Sequence, residues 1–202
     1  MNTRPPHLPA EERREATVES VIELAAQRNP SDITTSAIAQ HMGLTQGALF
    51  RHFPTKDAIW EAVMQWVATR LMARVDRAIA SHDSALDALE AVFFTHAAFV
   101  AEHPGVPRML FGELQRAEDT AAKRAARTLL AAYGKRVRQL IVKGQQRGEL
   151  SQDIEPDAAA AMFVGAIQGL VMQTLLSGEP QHIRSAAPGA FALYRRCIGS
   201  TK

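Results

Sequence analysis

The residues able to act as acids, bases, nucleophiles or metal ligands are few in this 202-residue chain and poorly grouped. His96 and His103 stand seven positions apart, on one face of a helix, and with Glu113 they come nearest to a metal constellation. Helical metal pairs sit three or four residues apart, so the expectation is no metal site and histidines that are solvated or hydrogen-bonded. Cys197 is the single cysteine. That excludes an intramolecular disulfide and a Cys-based zinc finger, and points to a reducing, cytoplasmic setting. Near the end of an apolar helix, Cys197 is expected to be a small buried hydrophobe. Ser, Lys and His are scattered without a nucleophile motif, so neither enzymatic chemistry nor a cofactor is expected.

What remains is the chemistry of surfaces. Residues 34–53 read TTSAIAQHMGLTQGALFRHF, two short helical stretches joined by a turn containing Gly43. Ile38, Ala39, Met42, Leu44, Leu49 and Phe53 are spaced so that the two helices cross closely, and Gly43 suits the left-handed conformation of a helix end. Thr45 caps the second helix and leaves its N-terminus free to point at a ligand. Gln46, Gly47 and Ala48 follow it, small or amide-bearing, so this helix can lie close to base edges in a major groove. Gln46 has the donor and acceptor to pair with adenine, and Arg51 the reach for guanine or phosphate. An ordinary αα corner has the same outline, and charge does not decide between the two. Residues 1–60 hold six Lys/Arg (4, 13, 14, 28, 51, 56) against seven Asp/Glu (11, 12, 15, 19, 23, 32, 57). Attraction for phosphate must come from local placement, as with Arg51, His52 and Lys56 after the turn.

The elements that would hold these residues are all helical. With 47% hydrophobic and 22% charged residues and a net charge of +2, the chain is neither disordered nor low-complexity and can bury a core without disulfides. Ten prolines divide it into runs rich in Ala, Leu, Met, Glu, Arg and Gln, and no run alternates like a strand. Caps and periodicity predict nine helices, over about 9–28, 35–41, 46–52, 56–81, 85–102, 107–115, 119–147, 156–177 and 186–198. The first twenty residues lack an apolar stretch of signal-peptide length, so no secretion signal is expected. Residues 158–176 are uncharged and approach the ~20 residues that span a bilayer. With Gln168, Gln173 and Thr174 inside and no flanking Lys/Arg cluster, they are expected to be a buried helix and not a membrane span.

The stretch from Thr34 to Val63 closely resembles the DNA-binding signature of the TetR/AcrR family of bacterial transcriptional regulators. Ile38-Ala39, Gly43-Leu44-Thr45, Gly47-Ala48-Leu49, His52-Phe53 and Lys56 match in order and without a gap. A weaker likeness lies around Gly148-Glu149-Leu150 and residues 153–156. Phe50 departs from the pattern, which usually has a tyrosine whose hydroxyl binds a phosphate. Phe50 can pack or touch a thymine methyl, and Thr34, Thr35, Thr45, His52 and Lys56 are left with more of the backbone anchoring. The resemblance implies an all-α fold with a helix-turn-helix DNA-binding domain over 1–55 and a ligand-binding and dimerisation bundle over 56–202. It implies a homodimer on a two-half-site double-stranded DNA operator, and repression relieved by a small molecule.

The bundle offers three further expectations. A pocket between the fourth and seventh helices, which the resemblance favours, would be lined by Phe93, Phe94, Phe99, Met109 and Phe111, with His96, His103, Arg108 and Glu113 as polar anchors for a mostly apolar effector. The run 156–177 is apolar almost all round, with Gly165 and Gly169 four apart, so with the last helix it should build a dimer four-helix bundle. Phe163, Gly165, Ala166, Gly169, Leu170, Gln173, Phe191 and Tyr194 are its candidate residues. Residues 120–148 carry eight Lys/Arg and no Asp/Glu. A solvated basic face is the plain reading, and an adaptor that binds a protein partner through it is the alternative function, alongside an activator of the same fold.

Overall fold

A computed structural model describes residues 9–199. Among these the helices are α1 (Ala10–Gln27), α2 (Thr35–His41), α3 (Gln46–Phe50), α4 (Lys56–Ala80), α5 (Ala85–Glu102), α6 (Gly105–Gln115), α7 (Ala121–Gln146), α8 (Pro156–Ser177) and α9 (His182–Ile198), with a 3-10 turn at Pro30–Asp32. Their starts follow from side chains that satisfy first-turn amides. Thr34 Oγ1 accepts from the Ala37 N–H at 3.0 Å, Thr45 Oγ1 from Ala48 at 3.2 Å and Thr55 Oγ1 from Ala58 at 3.1 Å. Gly43, at φ 64°, turns the chain between α2 and α3 where a side chain would be strained.

Two helices begin earlier than proline placement predicts. Pro107 is the third residue of α6, not a turn before it. The first-turn amides have no intrahelical partner, so a missing N–H costs nothing there. Pro188 lies inside α9, seventh from its start. It removes one helical hydrogen bond, and burial of Ile183, Ala187, Phe191, Tyr194 and Ile198 along one face carries the helix through it. Cys197 falls outside that buried stripe and is exposed, which corrects the expectation of a buried thiol.

α1, α2 and α3 close over the start of α4 with Val21, Ile22, Ile38, Leu49, Phe53 and Ile59 as their buried centre. α4 continues for 25 residues into a bundle with α5, α7, α8 and α9, centred on Val92, Phe93, Val137, Ile141, Phe163 and Phe191. α6 lies between the two groups. Its Gly105 sits so close to α1 that an added Cβ would fall 1.9 Å from the Ile22 carbonyl oxygen.

α8 is long and apolar enough to cross a membrane by length and composition, with a mean hydropathy of 1.6 and 39% of that stretch buried. One side packs into the bundle through Phe163, Ile167, Leu170 and Thr174. The other side is open, with Met162 59%, Met172 42% and Leu176 80% exposed, beside Leu193 of α9 at 62%.

Candidate nucleic-acid interface and adjoining cavity

The helix-turn-helix presents a connected polar surface. Thr34, Thr45, Gln46, Gly47 and Arg51 are exposed, and Thr35, Ala48 and His52 partly so. Gln46 Nε2 donates to Thr35 Oγ1 at 2.7 Å, which ties the first residue of α3 to the first residue of α2. A Cβ on Gly47 would meet nothing within 4 Å, so space stands open before this turn of α3. Phe50 is 41% exposed although its neighbour Leu49 is buried. The far end of α3 is braced from α1: Arg14 Nη1 donates to the His52 carbonyl at 2.6 Å, and its guanidinium lies 4.3 Å from the centre of the Phe53 ring. This arrangement suits a rigid short helix placed against a groove, with amide and guanidinium groups at its rim.

Lys56 stands apart from that surface. Its ammonium lies 4.7 Å from the centre of the Trp60 ring and 3.4 Å from the Ser31 carbonyl oxygen. Partial burial lowers its pKa, and the neighbouring Asp57 opposes the shift. It lines a wide polar groove between the 3-10 turn, α4 and α6, shared with Asn29, Asp57, Arg108, Glu113 and Arg116. The expected phosphate contact of Lys56 therefore starts from a side chain that rests on Trp60 and Ser31.

That groove holds a feature that sequence reasoning missed. Arg116, just past the end of α6, bonds Asp57 in the first turn of α4 at 3.1 Å. The same guanidinium lies 3.5 Å from Glu113, whose carboxylate also accepts from Thr120 Oγ1 at 2.7 Å. Hydrogen bonding to Asp57 is the main cause that raises the Arg116 pKa. No sequence spacing signals a pair 59 residues apart.

On the other side of α6 is an apolar cavity of about 90 Å3. Val67 and Leu71 of α4, His96, Phe99 and Val100 of α5, Leu110, Phe111 and Leu114 of α6, Leu129, Leu130 and Tyr133 of α7, and Val164, Ile167 and Gln168 of α8 line it, among others. Of the expected pocket residues, His96, Phe99 and Phe111 are therefore brought together. The others are not. Phe93 packs on Phe163 and Phe191, with ring centres 5.3 and 5.4 Å apart, and Phe94 lies 5.9 Å from Phe191. Met109 is wholly buried, His103 stacks against Trp66 at 5.2 Å, and Glu113 and Arg108 face the polar groove. Tyr133 of α7, absent from the expected lining, adds a hydroxyl to this wall.

His96 Nδ1 and the Tyr133 hydroxyl are buried without a hydrogen-bond partner among the described residues. Their rings meet edge to face at 5.2 Å. Burial lowers the His96 pKa from 6.5 to about 4 and raises that of Tyr133, so both are neutral near pH 7. Among the described residues no group of three His, Cys, Asp or Glu is placed to hold a metal ion.

The expected dimer residues divide in the same way. Gly165, Gly169 and Gln173 lie on the open side of α8, with Ala166 at its edge. An added Cβ at Gly165 or Gly169 would meet nothing within the chain. Phe163, Leu170, Phe191 and Tyr194 are instead buried within the subunit, because they occupy the faces that join α8 and α9 to α5 and α7. Tyr194 Oη donates to the Ala159 carbonyl at 2.9 Å.

The basic face of α7 is largely paired within the chain. Arg136 bonds Asp76, Arg138 bonds Asp157, Arg124 and Arg127 reach Asp119, and Arg147 lies by Glu149. This supports the plain reading of a solvated face and weakens the adaptor alternative.

Comparison with known proteins agrees with this geometry. The signature of bacterial regulatory proteins of the tetR family matches residues 19–63, and that of the tetracyclin repressor-like C-terminal domain matches 112–189. The chain is 27% identical over 158 residues to the nucleoid occlusion factor SlmA of Vibrio vulnificus, covering 78% of this chain and 81% of that protein. Its fold is similar to that of a TetR-family transcriptional regulator from Rhodococcus sp., with a TM-score of 0.76, 24% identity, and 91% and 98% of the two chains covered. It is also similar to the ketosteroid transcriptional regulator KstR2 of Mycobacterium tuberculosis, with a TM-score of 0.77, 18% identity, and 93% and 95% covered.

Proposed function

Because this chain belongs to the TetR family of DNA-binding regulators, we propose that it is a cytoplasmic repressor that holds a two-half-site operator as a homodimer and lets go when a small apolar effector fills the cavity. The domain division then falls at the start of α4, with 1–55 for DNA and 56–202 for effector and partner. α3 enters a major groove, where Gln46 and Arg51 read base edges with Gly47, Ala48 and Phe50 close by. Thr34, Thr35, Thr45 and His52 hold the backbone, and Lys56 joins them once released from Trp60. The open side of α8 and Leu193 of α9 meet their copies across a two-fold axis, which covers Met162, Met172, Leu176 and Leu193.

The observation that carries the effector reading is the position of α6. One face of this helix supplies Leu110, Phe111 and Leu114 to the cavity. One end packs on the DNA-binding half through Gly105 on α1, and the other holds the start of α4, directly after that half, through Arg116 on Asp57. An effector that binds better when α6 has shifted must therefore bias the placement of α3, by as much as its affinity differs between the two states.

Selection from a random duplex pool, followed by fluorescence anisotropy, tests this. The operator should have two related half-sites, and Gln46→Ala should relax discrimination at one or two base pairs per half-site, at about 1–3 kcal/mol for each contact. Gly169→Arg should sediment as a monomer and bind the operator weakly. A wild-type monomer on the selected site, or an unchanged consensus with Gln46→Ala, would count against this reading.

A further inference from the structure

Three buried polar side-chain atoms lack a partner among the described residues, namely Trp66 Nε1, His96 Nδ1 and Tyr133 Oη. Two of the three side chains line the apolar cavity, from α5 and α7. Buried polar groups in folded proteins are almost always paired, so two orphans on one cavity point to a partner that is not part of the chain. The lining contains no Asp, Glu, Lys or Arg. A carboxylate, phosphate or ammonium would therefore be buried there without a counter-charge, which binding does not tolerate.

We propose that the effector is an uncharged, mostly apolar alcohol, whose hydroxyl oxygen accepts a hydrogen bond from Tyr133 Oη and whose hydroxyl proton is donated to His96 Nδ1. The inference rests on the cavity being the effector site. A hydroxyl is the smallest group that serves both orphans, since it accepts from one and donates to the other. The rest of the molecule contacts Leu71, Phe99, Leu110, Phe111 and Ile167. The cavity of about 90 Å3 is smaller than the ~150 Å3 apolar cavity that takes up benzene, so even a single ring must push its walls apart. Leu114, 38% exposed, and Gln168, also exposed, mark the edge at which a longer ligand would emerge, between α6 and α8.

Benzyl alcohol, toluene and benzoate share one ring and differ in a hydroxyl, no polar group and a charge. Ligand-observed NMR titration of the full-length protein at pH 7.5 should give affinities in the order alcohol, toluene, benzoate, with the alcohol about tenfold ahead of toluene. Tyr133→Phe removes an atom with no partner among the described residues, so it should melt no lower than wild type. It should keep the toluene affinity and lose most of the alcohol's advantage. Equal wild-type affinity for alcohol and toluene, benzoate binding tighter than either, no binding by any probe, or an undiminished preference in Tyr133→Phe would each overturn the proposal. Anisotropy of a labelled operator separates the two readings. If the alcohol binds with the expected preference yet leaves the operator bound at saturation, the site chemistry stands and effector-driven release fails.

Discussion

Burial of His96 should give this fold a specific acid sensitivity. The imidazole pKa falls from 6.5 to about 4 in the folded chain, and the cause is loss of solvent. Of the residues lining the cavity only His96 and Tyr133 titrate, and Tyr133 stays neutral across the acid range, so no neighbouring charge in the cavity offsets the effect. Between pH 6.5 and 4 the unfolded chain binds a proton that the folded chain does not, so stability falls as pH falls through this window. Integration of that difference gives a loss of about 2 kcal/mol between pH 7.5 and 5 from this group alone. His96→Gln replaces the imidazole by a group that does not titrate. Urea unfolding of both proteins, at equal concentration because a dimer's stability depends on it, should give curves of stability against pH that diverge below 6.5. The variant should lose about 2 kcal/mol less on going to pH 5. His103, whose pKa is also lowered, is present in both and cancels. Parallel curves would show that His96 is protonated in the folded state and that the cavity admits water or a counter-ion.

Two further outcomes follow from close contacts. Gly105→Ala places a Cβ 1.9 Å from the Ile22 carbonyl oxygen and 2.9 Å from the Ala26 amide, both backbone atoms that cannot step aside. It should cost about 3 kcal/mol or more in urea unfolding, and a variant within about 1 kcal/mol of wild type would mean that α1 and α6 separate easily. Glu149 caps α5 from the turn after α7, accepting from Ser84 Oγ at 2.9 Å and the Ala85 N–H at 2.6 Å. Desolvation would raise its pKa, but these bonds and that from Leu86 outweigh it and the net shift is downward. Its contribution is therefore present above the ordinary carboxylate range and lost as pH falls through the lowered value. Glu149→Ala should cost about 1–2 kcal/mol at pH 7 and progressively less in stronger acid, and a penalty unchanged at low pH would exclude the charge as its source.

The features legible in the sequence are those decided locally. Thr34, Thr45 and Thr55 stand directly before the helices they cap, and Pro156 opens α8 as its N-terminal preference demands. The cavity wall was legible only in part, because α5 buries residues on several sides. Phe93 and Phe94 turn towards α9, whereas His96 and Phe99 turn towards α6 and α7, and composition treats all four alike. The same holds for α8, where Phe163 and Gly165 are two positions apart yet face the subunit's interior and the open side. Asp57, Glu113, Arg116 and Thr120 escape a sequence reading because their meeting depends on where the end of α6 falls relative to the start of α4.

The length of α4 sets how far a small motion near the cavity is felt. From Val67 and Leu71, which touch the cavity, to Lys56 at its start there are 11 to 15 residues. At 1.5 Å per residue that is an arm of roughly 16–23 Å. A tilt of about 5° at the cavity end sweeps the other end through roughly 1.5–2 Å, and a two-fold pair doubles this to about 3–4 Å. Successive major grooves recur about every 34 Å along one face of the duplex, so in the proposed complex such a change in span would take one α3 off its bases while its copy is seated. On the proposed function, a helix as long as α4 would make the reading of DNA depend on an angle of a few degrees set elsewhere in the chain.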